Sequence, residues 1–183
     1  NIIKKTMDSN ISRLYLDLNC AIHPCCQKII KEYGNSLEKD LIEKKMLKEI
    51  TNYIEFIFCY INPSELLFIS IDGPAPRAKM SQQRQRRYKS INEKKYEKKI
   101  MENNGNIYKE LWDTNAITPG TIFMQKISQE IIKYIESNQL YKNINVIFSD
   151  SNTCGEGEHK ILDHIKTSFK DDQEGVDIIY GLD

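Results

Sequence analysis

The chain has 183 residues, with 26 Lys or Arg against 26 Asp or Glu, and 40% of its residues are hydrophobic. This composition is ordinary for a soluble globular domain, and the zero net charge argues against a globally basic nucleic-acid binder. No apolar run reaches the ~18–20 residues of a membrane span, and residues 1–13 lack the apolar core of a signal peptide. Five cysteines without regular spacing indicate a reducing compartment. We therefore expect one intracellular domain over residues 1–183, in the cytoplasm or the nucleus.

Four apolar, β-rich segments alternate with segments of helical periodicity. This alternation implies right-handed crossovers, so the predicted fold class is α/β, with a mainly parallel central sheet and helices on both faces. Pro24 and the pair Thr118-Pro119 are predicted to start helices, because the missing N–H of proline is harmless in a first turn. In chain order, the predicted elements are strand 13–18, helix 24–34, helix 37–61, strand 66–71, helix 78–101, helix 118–137, strand 145–149, helix 158–169 and strand 176–180.

Acidic side chains follow every predicted strand. Because the carboxyl ends of parallel strands meet at one edge of the sheet, we expect these acids to converge there. A single aspartate at a strand end is commonly a turn or cap residue, but clustered carboxylates repel one another unless divalent cations neutralise them. Oxygen ligands of this kind favour Mg²⁺ or Mn²⁺ over zinc. The acids are Asp17, Asp72, Asp150, Glu156, Glu158 and Asp183.

A basic motif, DGPAPRAKMSQQRQRR, follows the second strand at residues 72–87. After a stiff Gly-Pro-Ala-Pro turn, helical spacing places Lys79, Gln83, Arg86 and Arg87 on one face. Their ammonium, amide and guanidinium groups suit the oxygens of a phosphate, although a solvated helix face is an equally open explanation of the spacing. Residues 77–99 contain ten Lys or Arg and two Glu, a local basic stripe that suits a polyanion.

The cluster Cys20, His23, Cys25 and Cys26 resembles a zinc site only faintly. It lacks a second ligand pair at the usual spacing, so the sequence disfavours zinc. On the residues alone, His23 is best explained as a buried, hydrogen-bonded imidazole that follows a strand. Trp112 is expected to be a core or surface packing residue.

Five segments of the chain resemble the N-terminal catalytic region of the XRN family of 5′→3′ exoribonucleases. From about Arg13 to the last residue they read LDLNCAIH, DGPAPRAKMSQQRQRR, NAITPGTIFM, GEGEHKI and YGLD. The resemblance implies a PIN/flap-nuclease-like fold with a metal site at the carboxyl ends of the strands. It also implies an enzyme that uses Mg²⁺ or Mn²⁺, as two ions, to hydrolyse single-stranded 5′-monophosphorylated RNA to nucleoside 5′-monophosphates.

The resemblance also assigns roles to residues by their position in the motifs. The metal-binding and catalytic acids are Asp17, Asp72, Glu156, Glu158 and Asp183. The 5′-phosphate pocket is Lys79, Gln83, Arg86 and Arg87, while His23 stacks on the terminal base near the scissile phosphate, and Asn19 supports the metal ligands. Because the family pattern continues past Asp183, we expect a domain that is incomplete at its C-terminal end, with weak or no activity without the remaining catalytic region.

Other functions remain open. A flap-type, structure-specific endonuclease would cut substrates with a 5′-hydroxyl end equally well. A non-catalytic module that binds 5′-phosphorylated RNA ends is a second alternative, but clustered carboxylates give a pure binder of a polyanion no advantage. A scaffold without a site is the third.

Overall fold

A four-stranded, wholly parallel sheet forms the centre of the protein. The computed structural model describes residues 10–34, 36–107, 111–168 and 175–181. The strands are β1 (Ile11–Asp17), β2 (Leu66–Ser70), β3 (Asn145–Ser149) and β4 (Val176–Tyr180), in the spatial order β3-β2-β1-β4. The predicted parallel sheet is confirmed, and its two central strands bring Asp17 opposite Ser70.

Helices cover both faces of the sheet, as the sequence predicts. They are α1 (Asn19–Tyr33), α2 (Lys39–Ile61), α3 (Arg77–Asn103), α4 (Ile122–Ser137) and α5 (Gly157–Ser168). Helices α1, α2 and α4 pack on one face, whereas α5 packs on the other. Within the described residues, no helix combines the length and the apolar composition needed to cross a membrane.

The core follows from the alternation of side chains along β1 and β2. Leu14 and Leu16 point into the larger hydrophobic cluster, with residues of α1, α2 and α4. Tyr15 and Phe68 point to the other face and pack against Ile161 of α5. Every residue of β2 is buried, as expected for a central parallel strand covered on both faces.

Two of the predicted helix starts are wrong. Helix α1 begins at Asn19, because the carbonyl of Leu18 already accepts hydrogen bonds from the backbone N–H groups of Ala21 and Ile22, and Pro24 lies inside the helix. Helix α4 begins at Ile122 and not at Thr118. Gly120 has a φ of 86°, outside the helical region, so the helix starts only after it.

Trp112 is a packing residue, as expected. It is buried, and its ring meets Phe123 edge-on with 4.7 Å between the ring centroids. Its indole Nε1–H donates a hydrogen bond of 3.2 Å to Glu43 Oε1, which ties the segment before α4 to α2.

Candidate active site

The ends of β1 and β2 hold two aspartates next to each other. Asp17 is the last residue of β1, and Asp72 follows β2 by two residues. The side-chain amide of Asn19 donates to Oδ1 of Asp17 and to Oδ1 of Asp72, each at 2.7 Å. In return, Asn19 Oδ1 accepts the backbone N–H of Asp72 at 3.1 Å. A single asparagine therefore fixes both carboxylates.

Gly157, the first residue of α5, brings this helix against the aspartates. Its backbone N–H donates to Asp72 Oδ1 at 2.7 Å. A Cβ atom at this position would lie 2.5 Å from Asp17 Oδ1, closer than real Cβ contacts come. Only glycine therefore allows this approach of the helix to Asp17. The preceding turn is joined to the β2 end by the backbone N–H of Gly73, which donates to the carbonyl of Gly155 at 2.8 Å.

A second acidic group lies at the start of α5. The ligand atoms of Glu156, Glu158 and His159 all lie within 4.8 Å of one another. Within the described residues, the four predicted acids do not form one group at this spacing, but two neighbouring groups linked by Gly157. Asp183, the fifth acid that the resemblance assigns to the metal, lies outside the described residues. The carboxylate of Asp150, the sixth predicted acid, accepts hydrogen bonds from Asn152.

The donor set fits a hard divalent cation. All four described acids offer carboxylate oxygens, the ligands that Mg²⁺ and Mn²⁺ prefer. The side chain of Glu156 is only 12% exposed, and its Oε2 lies 2.6 Å from the Lys79 ammonium. The hydrogen bond to Glu156 raises the pKa of Lys79. This largely buried carboxylate thus already binds a positive charge.

A polar cavity of about 520 Å³ adjoins Asp72. Asn19 and Asp72 line one end of it, and Gln83, Arg86 and Arg87 line its wall on α3. In the part of the chain that the structure describes, no carboxylate lies within 4.0 Å of either guanidinium. The cavity therefore offers two arginine side chains that are not paired with any acid among the described residues.

The four residues of the basic motif make different contacts in the structure. Gln83, Arg86 and Arg87 line the cavity together. Lys79 lies one turn nearer the helix start and meets Glu156 instead. Three of the four predicted residues therefore share the cavity wall, and Lys79 instead contacts the acidic group.

His23 lines the same cavity from α1. Desolvation lowers its pKa, and the positive charge of Arg86 lowers it further. The neutral imidazole is favoured as a result. His23 is exposed along the cavity, so the interpretation as a buried, hydrogen-bonded core histidine is not what the structure has.

The neighbouring cysteines do not behave as zinc ligands. Burial raises the pKa of Cys25 to about 11 and that of Cys26 to about 12. Among the described residues, these cysteines and His23 do not bring three ligand atoms within 4.8 Å of one another, as a shared metal ion would require. The burial of Cys25 and Cys26 in the hydrophobic cluster marks them as core residues.

Sequence reasoning missed several residues around the cavity and the acids. The far wall contains Thr114, Asn115 and Thr118, which lie in or beside the NAITPGTIFM segment that had signalled a motif without assigned roles. Lys160 was also missed. It is buried, its Nζ donates to two backbone carbonyls, and desolvation lowers its pKa. Nothing in its spacing distinguishes it from an exposed helical lysine.

Comparison with known proteins gives a consistent set of relatives. Residues 1–183 match a family described as XRN 5'-3' exonuclease N-terminus. The 5'-3' exoribonuclease 1 of Schizosaccharomyces pombe is 38% identical over 171 residues, which cover 91% of this chain and 13% of that protein. The 5'-3' exoribonuclease 1 of Saccharomyces cerevisiae is 37% identical over 193 residues, or 100% of this chain and 12% of that protein. The 5'-3' exoribonuclease 2 of Gallus gallus is 40% identical over 169 residues, which cover 84% of this chain and 17% of that protein. The chain thus spans less than a fifth of the length of these relatives.

Proposed function

The chain belongs to the family described as XRN 5'-3' exonuclease N-terminus, and from this premise we propose that it is a 5′→3′ exoribonuclease. Its substrate is single-stranded RNA with a 5′-monophosphate, and its products are nucleoside 5′-monophosphates. The observation that carries the proposal is the place of Asp72. Its carboxylate accepts from Asn19 and Gly157 within the acidic site, and it also lines the cavity with Arg86 and Arg87. The phosphodiester bond to be cut can thus lie at the acids while the 5′-phosphate of the RNA lies at the arginines.

The acids hold divalent cations, Mg²⁺ or Mn²⁺, in this proposal. Asp17 and Asp72 supply ligands from the strand ends, Glu156 and Glu158 supply them from just before and within the first turn of α5, and the resemblance adds Asp183. Bound as a pair, such ions would activate a water molecule and neutralise the charge that develops on the departing 3′-oxygen. Asn19 keeps the two aspartate side chains in place, since its amide group bonds to both.

The arginine wall recognises the 5′-monophosphate. Guanidinium groups bind phosphate oxygens through paired N–H donors, and an amide such as that of Gln83 adds another donor. Arg86 and Arg87 suit this role because no acid among the described residues engages them. Lys79 is paired with Glu156, and it would be free to join them if Glu156 held a divalent cation instead.

His23 receives the terminal base. A neutral imidazole stacks on a nucleobase without adding charge, and the lowered pKa of His23 favours that form near pH 7. Its place in the cavity beside Asn19 puts it next to the scissile phosphate in the proposed arrangement. We further expect residues 1–183 to belong to one nuclease domain that acts inside the cell, in the cytoplasm or the nucleus.

The test compares three RNAs of one sequence that carry a 5′-monophosphate, a 5′-hydroxyl or a 5′-triphosphate. In a protein that contains this chain together with the remaining catalytic region, and with Mg²⁺, we expect stepwise release of mononucleotides from the first RNA. We expect at least roughly 100-fold slower cleavage of the others, since the charge-assisted hydrogen bonds to the phosphate are absent or blocked. A chelator abolishes the release. Equal cleavage of the 5′-hydroxyl RNA would favour a flap-type endonuclease, and binding without turnover would favour an RNA-end-binding module.

Matched variants assign the two halves of the site. We expect Glu158→Gln to abolish turnover and retain affinity for 5′-phosphorylated RNA. Arg86→Met should weaken that affinity roughly tenfold or more. Arg84→Met is the control, because Arg84 is an exposed arginine of the same helix that does not line the cavity. Equal effects of the two arginine changes would contradict the assignment of the pocket.

A further inference from the structure

Lys160 is a buried lysine in the second turn of α5, and the proposed chemistry gives it no part. Its residue surface is 9% exposed. The Nζ atom donates to the carbonyl of Ile71 and to the carbonyl of Asp150, each at 2.7 Å. An ammonium is rarely buried in a protein unless its charge and its donors are satisfied. The two carbonyls accept from two of its three N–H donors and leave the charge in the interior.

The two acceptor carbonyls lie at the carboxyl ends of β2 and β3. Ile71 immediately precedes Asp72, and Asp150 immediately follows β3. The same two ends are also joined by the backbone N–H of Ile71, which donates to Ser149 at 3.0 Å. Lys160 lies two residues after Glu158. Its side chain therefore connects the helix that carries one acid to the strand end that carries another.

Packing alone does not require an ammonium at this position. A methionine of similar length would fill the space without the cost of burying a charge. The ammonium instead aligns two backbone carbonyls. Desolvation lowers the pKa of Lys160, but the charges of Asp150, Asp72 and Asp17 act in the opposite direction and favour the positively charged form. That charge offsets part of the repulsion between carboxylates that must lie close together.

We propose that Lys160 is a positioning residue that sets the distance between Asp72 and the acids of α5, so that the ligands for divalent cations are arranged before a cation binds. This inference rests on the proposed function of the acids. Residues that orient metal ligands without touching the metal typically change metal affinity by about 10- to 100-fold when they are altered. Lys160 does not line the cavity that holds Arg86 and Arg87, so we expect recognition of the RNA end not to depend on it.

The test measures Mn²⁺ affinity by electron paramagnetic resonance in Lys160→Met, Lys166→Met and the unaltered protein. Lys166 is an exposed lysine of the same helix and serves as the control. We expect Lys160→Met to weaken Mn²⁺ binding about 10- to 100-fold and to change the Mn²⁺ spectrum, whereas Lys166→Met does neither. In a chelator, both variants should bind 5′-phosphorylated RNA within about twofold of the unaltered protein.

Several results would overturn the inference. If folded Lys160→Met binds Mn²⁺ as tightly as the unaltered protein, the residue only supports the fold. Tighter binding would mean that its charge merely repels the cation. If Lys160→Met does not fold, Lys160→Gln, which keeps an amide donor, is measured in its place with the same expectations. Failure of the unaltered protein to bind Mn²⁺ would instead refute the proposed function, while normal binding by all variants refutes only the role of Lys160.

Discussion

At the scale of single residues, the site depends on how closely Gly157 approaches Asp17. An added Cβ atom would lie 2.5 Å from Asp17 Oδ1 and 2.9 Å from Asn19 Nδ2. Both groups are held by the hydrogen bond between them, so neither moves without breaking it. The glycine thus determines where the two central aspartates can sit relative to α5.

We predict that Gly157→Ala separates α5 from Asp17. The free energy of unfolding should fall by about 1–3 kcal/mol, the usual cost of overpacking, and Mn²⁺ affinity should fall at least about tenfold. Urea denaturation and Mn²⁺ titration measure the two effects. Gly181→Ala is the control, because its Cβ would lie 3.7 Å from Asp17 Cβ, an ordinary contact. Similar losses in both variants would show that the close approach at Gly157 does not matter.

Individual site residues could be predicted from the sequence where spacing alone decides their position. Asp17 and Asp72 follow strands, and parallel strands bring their ends together. The partner of Lys79 could not be predicted, because helical spacing gives its face but not which anion lies opposite. That choice depends on how α5 packs against β2, which brings Glu156 within 2.6 Å of the ammonium. Lys160 was missed for the same reason, since its acceptors are backbone carbonyls.

At the scale of elements, the sequence predicts the strand ends within two residues, but it misplaces the starts of two helices, α1 and α4. Strand ends follow from runs of apolar residues, as β2 shows. Helix α4 begins after Gly120, because that residue has a left-handed φ and the side chain of Thr121 then accepts the backbone N–H of Met124. A threonine-proline pair three residues earlier gives an equally good local signal. Only the tertiary fold of the segment decides between the two starts.

The far wall of the cavity is attached to the helices through Glu43. This residue of α2 is 5% exposed and accepts from Trp112 Nε1 at 3.2 Å and from Lys126 Nζ at 2.6 Å. Trp112 directly precedes the segment that contributes Thr114 and Thr118 to the cavity. A carboxylate on α2 therefore links α4 and the cavity wall.

We predict that Glu43→Ala destabilises the protein and loosens the cavity wall. The buried indole N–H of Trp112 loses its acceptor, which costs about 1–3 kcal/mol of unfolding free energy. Affinity for 5′-phosphorylated RNA should also fall about two- to fivefold, since the wall that faces the arginines is less fixed. Glu49→Ala is the control, because its pair with Lys28 lies at the surface. If Glu43→Ala is destabilised but binds RNA with unchanged affinity, the contacts of Glu43 do not influence the cavity wall.

At the scale of the whole molecule, charge is balanced in total and uneven in distribution. Residues 77–99 contain ten Lys or Arg and two Glu in a chain of zero net charge. They lie on α3, which buries none of its described side chains and has 27 residues, a length of about 40 Å at the usual rise per residue. The first turns of α3 border the site, so the rest of the helix extends the positive charge away from the arginine wall.

We predict that the half of α3 farther from the site, which contains Lys95, Lys98 and Lys99, contributes to RNA binding through charge alone. Replacing Lys95, Lys98 and Lys99 by Gln in one variant should make RNA binding less dependent on salt. The slope of log K against log salt should become shallower by up to about 0.7 for each RNA phosphate that a lysine no longer neutralises. Stability should change little, because these side chains are exposed. The matched control replaces Lys39, Lys44 and Lys48, three exposed lysines of α2. Affinity measured from about 50 to 200 mM salt distinguishes the two sets, and equal slopes would mean that only net charge, and not the stripe on α3, attracts the RNA.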